Sequence, residues 1–232
     1  ADFVVLHNLQ DLNVTDVFYK GKLVDRNAPI RVKTCGRALK HTVHLDKVKA
    51  EQFVLPIGKK KTHVIGINPS QITTEDLAVS LPPAANYVPT DGYSKVAAVE
   101  RHHNTGKIGV AVAKGYGIRN GAVASSVSHD SHNIIVIGDN DRDMALAVDE
   151  IIRTQGGYTV VENGEVFETL PLPIMGLMSD AGFESVNETL GRMIKKAHEM
   201  GVPADIEPFI TLSFLALPVI PTLRITPRGL CL

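Results

Sequence analysis

The sequence predicts an α+β fold whose sheet is rich in antiparallel strands. Most of the chain consists of β-favouring runs separated by turn residues, and two such runs flank Asn163-Gly164, a dipeptide suited to a two-residue hairpin turn. Only two stretches, beginning near residues 140 and 183, show the apolar spacing of amphipathic helices. Hairpins together with two separate helices therefore indicate a domain that combines an antiparallel sheet with helices, which is the α+β class.

The first 30 residues or so are predicted to be β-structure. The opening ADFVVL is strand-like, and VTDVFYKGKLV carries β-favouring residues on both sides of a turn at residues 20–22. Because no turn or helix precedes the opening strand, we expect the chain to begin in the middle of a fold. Further strands are predicted in HTVHL, residues 41–45, and in KKTHVIGINP, residues 60–69, followed by a loop at Pro82 and Pro83.

The block from residue 95 to residue 174 contains the clearest elements. SKVAAVERH (94–102) and KIGVAVAKGYG (107–117) read as buried strands. GAVASSVSHDSHNIIVIG (121–138) contains an apolar strand directly after a polar, histidine-bearing turn. YTVVENGEVFETLPLP then predicts two strands joined at Asn163-Gly164.

Two helices are predicted, and each has start or stop signals. The first can be capped by Asn140 or Asp141 and closed by Gly156, and its apolar face is formed by Met144, Val148, Ile151 and Ile152. The second spans about 183–200, stops at Gly201-Val202-Pro203, and has an apolar stripe of Val186, Leu190, Met193, Ile194 and Ala197. The tail PFITLSFLALPVIPTLRIT is broken by prolines and favours irregular buried packing over a long helix.

Composition limits the classes of function. With 24 Lys and Arg against 25 Asp and Glu, the net charge is -1, so no global field attracts nucleic acid or an anionic membrane. No stretch approaches the roughly 20 apolar residues of a membrane span, and no signal-peptide layout is present, which predicts a cytoplasmic protein. Cys35 and Cys231 alone cannot supply a disulfide framework or a four-thiolate zinc site.

The densest cluster of catalysis-capable side chains is SHDSHN, residues 128–133, between two apolar runs. In a regular strand His129 and His132 would point to opposite faces, but a bend or bulge could turn both toward one site. Neutral imidazoles can bind a metal, and Asp130 could be a ligand or orient a ring nitrogen. The alternative is a polar turn whose histidines satisfy backbone groups, because H-x-x-H spacing alone is a weak motif.

A second cluster, ERHH at residues 100–103, ends an apolar strand. Strand ends that feed loops commonly carry functional residues. Arg101 could anchor a carboxylate or phosphate, and Glu100 could accept a hydrogen bond from a base N–H. A structural ion pair is the more expected single role for either side chain.

The sequence contains no complete catalytic motif. There is no H-x-H pair, no H-E-x-x-H and no P-C-x-x-C, which excludes a zincin and a zinc deaminase of the cytidine type. The P-loop and the G-x-S-x-G elbow are also absent. An independent metallohydrolase built on His129 and His132 would lack sufficient ligands.

Long phrases of the sequence resemble the C-terminal domain of bacterial and archaeal adenine deaminases, which belong to the metal-dependent amidohydrolase superfamily. These phrases are VAAVERHHNTGKIGVAVAKGYGIRNGAVASSVSHDSHNIIVIGDNDRDMALAV, LPLPIMGLMSD and PFITLSFLALPVIP. ADFVVL and VTDVFYKGKLV resemble the last strands of the amidohydrolase β-sandwich. The resemblance implies two domains, with residues 1–34 ending that β-sandwich and residues 35–232 forming the C-terminal domain.

The resemblance implies hydrolysis of adenine to hypoxanthine and ammonia, a reaction of purine salvage, by a metal-bound hydroxide. A divalent metal lowers the pKa of its bound water toward about 7. The metal, manganese or iron with zinc as a third candidate, is held in the superfamily by barrel positions that this chain does not contain. We therefore expect the main ligands outside the chain, a barrel segment as partner, and no activity of this chain alone.

The resemblance also implies the site residues. The candidate active-site mouth consists of His129, Asp130, His132 and Asn133. The weaker candidates for substrate binding are Glu100, Arg101, His102 and His103. The alternative to this role is a non-catalytic assembly domain, which would complete the core or the subunit interface of a homo-oligomeric enzyme and expose an apolar docking face.

Overall fold

The computed structural model describes residues 1–28, 35–90 and 92–231. The chain forms two compact units, Ala1–Thr34 and Cys35–Leu232; residue 34, beside the predicted domain boundary, lies outside the described residues. The smaller unit holds an antiparallel sheet of β1 (Phe3–Leu6), β2 (Val14–Tyr19) and β3 (Lys22–Leu23), in that order. Lys20 and Gly21 adopt positive φ between β2 and β3, so the predicted hairpin at residues 20–22 is confirmed.

The larger unit is built on an eight-stranded sheet. Its strands are β4 (Thr62–Ile67), β5 (Thr74–Val79), β6 (Tyr93–Val99), β7 (Ile108–Lys114), β8 (Gly121–Ser125), β9 (Ile134–Gly138), β10 (Gly157–Glu162) and β11 (Glu165–Pro171). Their order is β11-β10-β8-β9-β6-β7-β4-β5. Among the described residues, only β4 and β7 pair in parallel. The predicted α+β fold with an antiparallel-rich sheet is therefore confirmed.

The two predicted helices are α1 (Asp141–Thr154) and α2 (Phe183–Glu199). The Asn140 side chain caps α1 by accepting a hydrogen bond from the Asp143 N–H at 2.9 Å, and Gln155 ends the helix in a left-handed conformation just before Gly156. Helix α1 therefore begins and ends close to the residues that the sequence predicts.

Both faces of the eight-stranded sheet are covered, which explains why its central strands are apolar throughout. Along β6, Val96 and Ala98 belong to a core cluster shared with α2 and with α3 (Pro208–Leu215). Ala97 and Val99, which alternate with them, belong to a second core cluster shared with α1. The sheet is the middle layer of three.

Two predictions from the sequence are wrong. Residues 41–45 form no strand; nearby backbone donors are instead bound by side chains, Val43 N–H by Gln155 Oε1 at 3.3 Å and Val48 N–H by Asp149 Oδ1 at 2.9 Å. The apolar tail is more regular than predicted. It folds into α3 and then into a hairpin of β12 (Arg224–Thr226) and β13 (Gly229–Cys231).

The edge strand β5 lies where the sequence predicts no strand. Its residues TEDLAV include the acidic Glu75 and Asp76, and most of them are partly or fully exposed, because this edge strand has a neighbour, β4, on one side. Within the described parts of the chain, no helix is both long and apolar enough to cross a bilayer.

Candidate functional site

Antiparallel pairing of β6 with β9 brings the two polar clusters of the sequence together. Val99, the last residue of β6, lies opposite Ile134, the first residue of β9. Residues 100–103 therefore leave the sheet at the same end where residues 128–133 enter it. We call the combined set, residues 100–103 and 128–133, the polar end of the sheet.

Arg101 joins these two segments to the surrounding loops. Its side chain is 2% exposed, and its Nε donates to the main-chain oxygen of His132. Its Nη1 and Nη2 donate to the main-chain oxygens of Thr42 and Met175, each at 3.0 Å. Burial lowers the pKa of Arg101 to about 10, because no carboxylate among the described residues pairs with the guanidinium.

Glu100 organises the loop that follows it. One carboxylate oxygen accepts from the backbone N–H groups of His102 and His103 at 2.6 and 3.0 Å, and the other from Thr105 N–H and Oγ1 at 3.2 and 3.0 Å. Burial acts to raise the pKa of Glu100, but these hydrogen bonds hold it below its usual value. Neither Glu100 nor Arg101 forms the ion pair expected from the sequence, as far as the described residues extend.

The histidine after Arg101 also binds the opposite segment. Its Nε2 lies 2.8 Å from the main-chain oxygen of Ser131, so His102 donates from this nitrogen. His103 is exposed. Two successive side chains, Arg101 and His102, thus hold two successive carbonyl groups of the SHDSHN turn.

The SHDSHN turn is closed by its own backbone and leans on α3. His132 N–H donates to the Ser128 oxygen at 2.6 Å, and His129 N–H donates to the Ser213 oxygen at 3.2 Å. The His129 ring centroid is 6.1 Å from that of His132 and 5.2 Å from that of Phe214. His132 adopts a φ of 48°, and this left-handed residue provides the bend that brings both rings to one region.

The electrostatic surroundings favour a neutral His132. Burial lowers the pKa of its imidazole, and the nearby guanidinium of Arg101 lowers it further. The Ser128 N–H lies 3.4 Å from His132 Nδ1 and donates to it. In the neutral ring the proton is therefore on Nε2, which is left as a hydrogen-bond donor.

At this end of the sheet, three buried side-chain oxygens have no hydrogen-bond partner among the residues that the structure describes. They are Oγ of Ser128, Oδ1 of Asn133 and Oγ of Ser213, and each is enclosed by protein. Asn133 is 7% exposed and lines a cavity of about 80 Å³. Buried polar atoms are normally paired, so these three atoms can accept a hydrogen bond from a ligand or from ordered water.

A metal site is the other role that the sequence allows for the polar end of the sheet. Among residues 1–28, 35–90 and 92–231, no three His, Cys, Asp or Glu side chains are placed to hold an ion. Two of the side chains that could bind a metal are engaged otherwise. Glu100 accepts hydrogen bonds from backbone N–H groups, and His102 donates one to a carbonyl oxygen. The turn also carries two imidazoles, His129 and His132, and its backbone is held by hydrogen bonds from Arg101 and His102.

The structure therefore brings together the residues that the sequence marks in two separate clusters. Sequence reasoning misses Thr42, Met175 and Ser213, which bind the clusters mainly through main-chain oxygens; Thr42 adds its Oγ1, 3.3 Å from Arg101 Nη1. A main-chain contact carries no side-chain signature, so no motif could have identified them. Gly176 is the exception, since its φ of 72° and its approach to Arg101 require a residue without Cβ.

Comparison with known proteins identifies relatives over almost the whole chain. A family model described as "Adenine deaminase C-terminal domain" matches residues 71–231. Proteins named adenine deaminase are 49% identical in Desulfitobacterium hafniense (strain Y51), over 231 residues, and 45% identical in Nitratidesulfovibrio vulgaris (strain DP4), over 236 residues. A third, from Clostridium acetobutylicum, is 40% identical over 238 residues.

These matches cover 99% of this chain but only 41 to 42% of the length of each relative. The chain therefore corresponds to less than half of the proteins that it resembles. The segment Ser128–Asn133 and the segment Glu100–His103 both lie within the matched range of the family model.

Proposed function

Because the chain belongs to the adenine deaminase C-terminal domain family, we propose that it is the C-terminal part of an enzyme that hydrolyses adenine to hypoxanthine and ammonia. The observation that carries this proposal is the similarity to proteins of that name over 99% of the chain, at up to 49% identity. The proposed partner is an amidohydrolase barrel segment, in keeping with the 41% of each relative's length that the chain spans.

In this proposal the metal is bound by the barrel segment, since the described residues of this chain do not gather three ligands. A divalent ion, manganese or iron, would supply activated water at neutral pH. The residues of this chain act around that reaction. Arg101 and His102 hold the SHDSHN turn, and the turn presents its imidazoles at the mouth of the site.

His132 and His129 are the groups of this turn that can move protons. A neutral His132 carries its proton on Nε2 and can donate a hydrogen bond there, to a ring nitrogen or to the departing amine. His129 lies beside it and is only partly buried. Asp130, next in the chain, is exposed and its charge favours the protonated form of His132.

The proposal is tested by measuring ammonia release from adenine. We expect the complete protein, loaded with manganese or iron, to form hypoxanthine and ammonia in equal amounts, and the 232-residue chain alone to form neither. Turnover by the isolated chain at an enzymatic rate, on the order of 1 per second or faster, contradicts the assignment of the metal to another segment. Inactivity of the metal-loaded complete protein contradicts the proposed reaction.

A second candidate function, assembly of the enzyme, is favoured by an apolar groove of about 430 Å³. The groove lies between β11 and α2 and is lined by Tyr158, Leu170, Leu172, Leu177, Met178, Phe183, Val186 and Leu190. Phe183 is 77% exposed and Met178 51% exposed, and exposed apolar surface of this kind commonly marks an interface. Under this alternative, Phe183→Asp weakens the association of the chain with its partner segment, while changes at His129 and His132 leave turnover unaltered.

We propose in addition a cytoplasmic location, from the lack of a signal-peptide layout and of a long apolar span in the sequence given, and a homo-oligomeric state, from the resemblance. Both are tested on the complete protein, the first by cell fractionation and the second by light scattering at several concentrations.

A further inference from the structure

The cavity beside the SHDSHN turn has the features of a recognition pocket rather than of a packing defect. Its walls are mostly apolar and are formed by Ala98, Ser131, Asn133, Ile135, Ala216, Pro218, Ile225, Thr226 and Pro227. In this wall, the buried Oδ1 of Asn133 has no hydrogen-bond partner within residues 1–28, 35–90 and 92–231. Apolar walls with one placed amide are typical of sites that bind a flat heterocycle.

The size of the cavity limits what can enter. A volume of about 80 Å³ corresponds to roughly five water-sized groups, taking roughly 15 Å³ for one water. This is enough for one edge of a purine but not for a purine carrying ribose. The cavity shares Thr226 and Pro227 with a more open cleft of about 440 Å³, into which the remainder of a ligand can extend.

The chemistry of an amide identifies which edge of a purine would fit. Oδ1 of Asn133 needs a donor, and its Nδ2 can give a hydrogen bond to an acceptor beside that donor. Free adenine presents this pair at N9–H and N3, which flank one ring carbon. The amine on C6, where deamination occurs, lies at the opposite end of the molecule and stays outside the cavity.

We propose that Asn133 recognises the N3/N9–H edge of free adenine and thereby selects the base over its nucleosides, in which N9 carries the sugar. The inference rests on the proposed function, since it names the part of the substrate that this chain contacts. It explains why an amide with no partner is kept in an apolar wall, at a cost that a hydrophobic residue would avoid. In this role Asn133 determines specificity and takes no part in proton transfer.

The test compares binding of adenine and of 9-methyladenine, in which N9–H is replaced by N-methyl. Equilibrium dialysis on the complete protein stripped of metal measures binding without turnover. We expect the unaltered protein to bind adenine at least 10-fold more tightly than 9-methyladenine. In Asn133→Leu the Kd for adenine should rise about 10- to 100-fold, the range that a bidentate amide contact to a base represents, and the two ligands should become nearly equal.

A matched control is Asn187→Leu, which changes an exposed asparagine of α2. We expect it to leave both Kd values unchanged. Asn133→Leu should not lower the urea midpoint, because it removes an unpaired buried amide from an apolar wall. Unchanged Kd values in folded Asn133→Leu, or equal binding of both ligands by the unaltered protein, overturn the inference.

Ammonia release by the metal-loaded, unaltered protein is measured in parallel and reports on the proposed function separately. Adenine binding that depends on Asn133, without ammonia release, supports the pocket and contradicts the reaction. Ammonia release with binding that is indifferent to Asn133 supports the reaction and contradicts the pocket.

Discussion

His102 Nε2 lies 2.8 Å from the main-chain oxygen of Ser131, across the end of the sheet. Its neighbour Arg101 donates to the main-chain oxygen of His132. The loop after β6 therefore holds the backbone of the SHDSHN turn at two adjacent residues. Because both bonds end on carbonyl groups, they fix the position of the turn without engaging its side chains.

Replacing Arg101 with Met should lower the free energy of unfolding by about 3 to 5 kcal/mol. The variant keeps much of the apolar stem, but leaves the main-chain oxygens of His132, Thr42 and Met175 without this donor. Urea denaturation of the chain measures the change.

The control for this prediction is Arg153→Met. The Arg153 side chain is 69% exposed and pairs with Glu150, and exposed ion pairs contribute about 1 kcal/mol or less. Equal losses in the two variants would contradict a special role for Arg101 in holding the polar end of the sheet.

Replacing Gly176 with Ala should destabilise the same region, because Gly176 lies against the guanidinium of Arg101. An added Cβ would lie 2.8 to 2.9 Å from three atoms of the Arg101 guanidinium, and the φ of 72° is already unfavourable for alanine. We expect a loss of about 1 to 3 kcal/mol, measured as a lowered midpoint in differential scanning calorimetry.

Gly191→Ala is the matched control for Gly176→Ala. Gly191 lies inside α2 and its added Cβ meets no atom within 4 Å, so alanine should stabilise the helix by about 0.5 to 1 kcal/mol. Opposite signs for the two substitutions are the expected result, because Gly176 has both the left-handed φ and the close approach to Arg101, and Gly191 has neither. A stabilised Gly176→Ala variant contradicts the close approach.

The stability of the chain should fall as the pH is lowered through the titration of His132. Burial lowers the pKa of this imidazole in the folded chain, Arg101, His129 and His102 lower it further, and Asp130 opposes them. Between the ordinary histidine pKa near 6.5 and the lower folded value, the unfolded chain binds more protons than the folded chain. The stabilising contribution is therefore fully present above about pH 6.5 and is reduced below it.

His132→Asn is the variant that tests this pH dependence. Asparagine tolerates the left-handed φ of 48° at this position, so the turn should keep its shape while losing the titrating group. We expect the urea midpoint of the unaltered chain to fall more steeply between pH 7 and pH 5 than that of the variant. Parallel curves would show that His132 does not carry the effect.

Much of the fold could be predicted because local chemistry determines it. The Asn140 cap, the Gly156 stop and the Asn163-Gly164 turn are short-range signals, and each lies where the sequence indicates. The strand predicted at residues 41–45 fails for a long-range reason, since Gln155 from the end of α1 and Arg101 from the end of β6 bind this segment. Periodicity in a short apolar segment contains no information about such partners.

The candidate site was predictable in composition but not in arrangement. The sequence marks residues 100–103 and 128–133 as polar and rich in histidine, yet their contact depends on β6 pairing with β9 rather than with any other strand. The unpaired oxygen of Asn133 could not be predicted at all, because it arises from the way the segment after α3 and the β12–β13 hairpin enclose the cavity.

Changing the imidazoles of the SHDSHN turn should reduce turnover without unfolding the enzyme. In the complete, metal-loaded protein we expect His129→Ala and His132→Asn each to lower kcat for adenine about 10- to 10⁴-fold, the lower end for a lost supporting contact and the upper end for a lost proton transfer. Both rings are only partly buried, so the thermal midpoint should change little.

His63→Ala is the control for these two variants. His63 is an exposed histidine on β4, and its Nδ1 contacts the carboxylate oxygens of Asp76 at 2.8 and 2.9 Å. In the sheet, β6 and β7 lie between β4 and β9, the strand that follows the SHDSHN turn. It should leave kcat unchanged. If all three variants keep normal turnover, or if lost activity follows lost folding, SHDSHN is a structural turn, and the apolar groove between β11 and α2 becomes the feature of this chain that the enzyme requires.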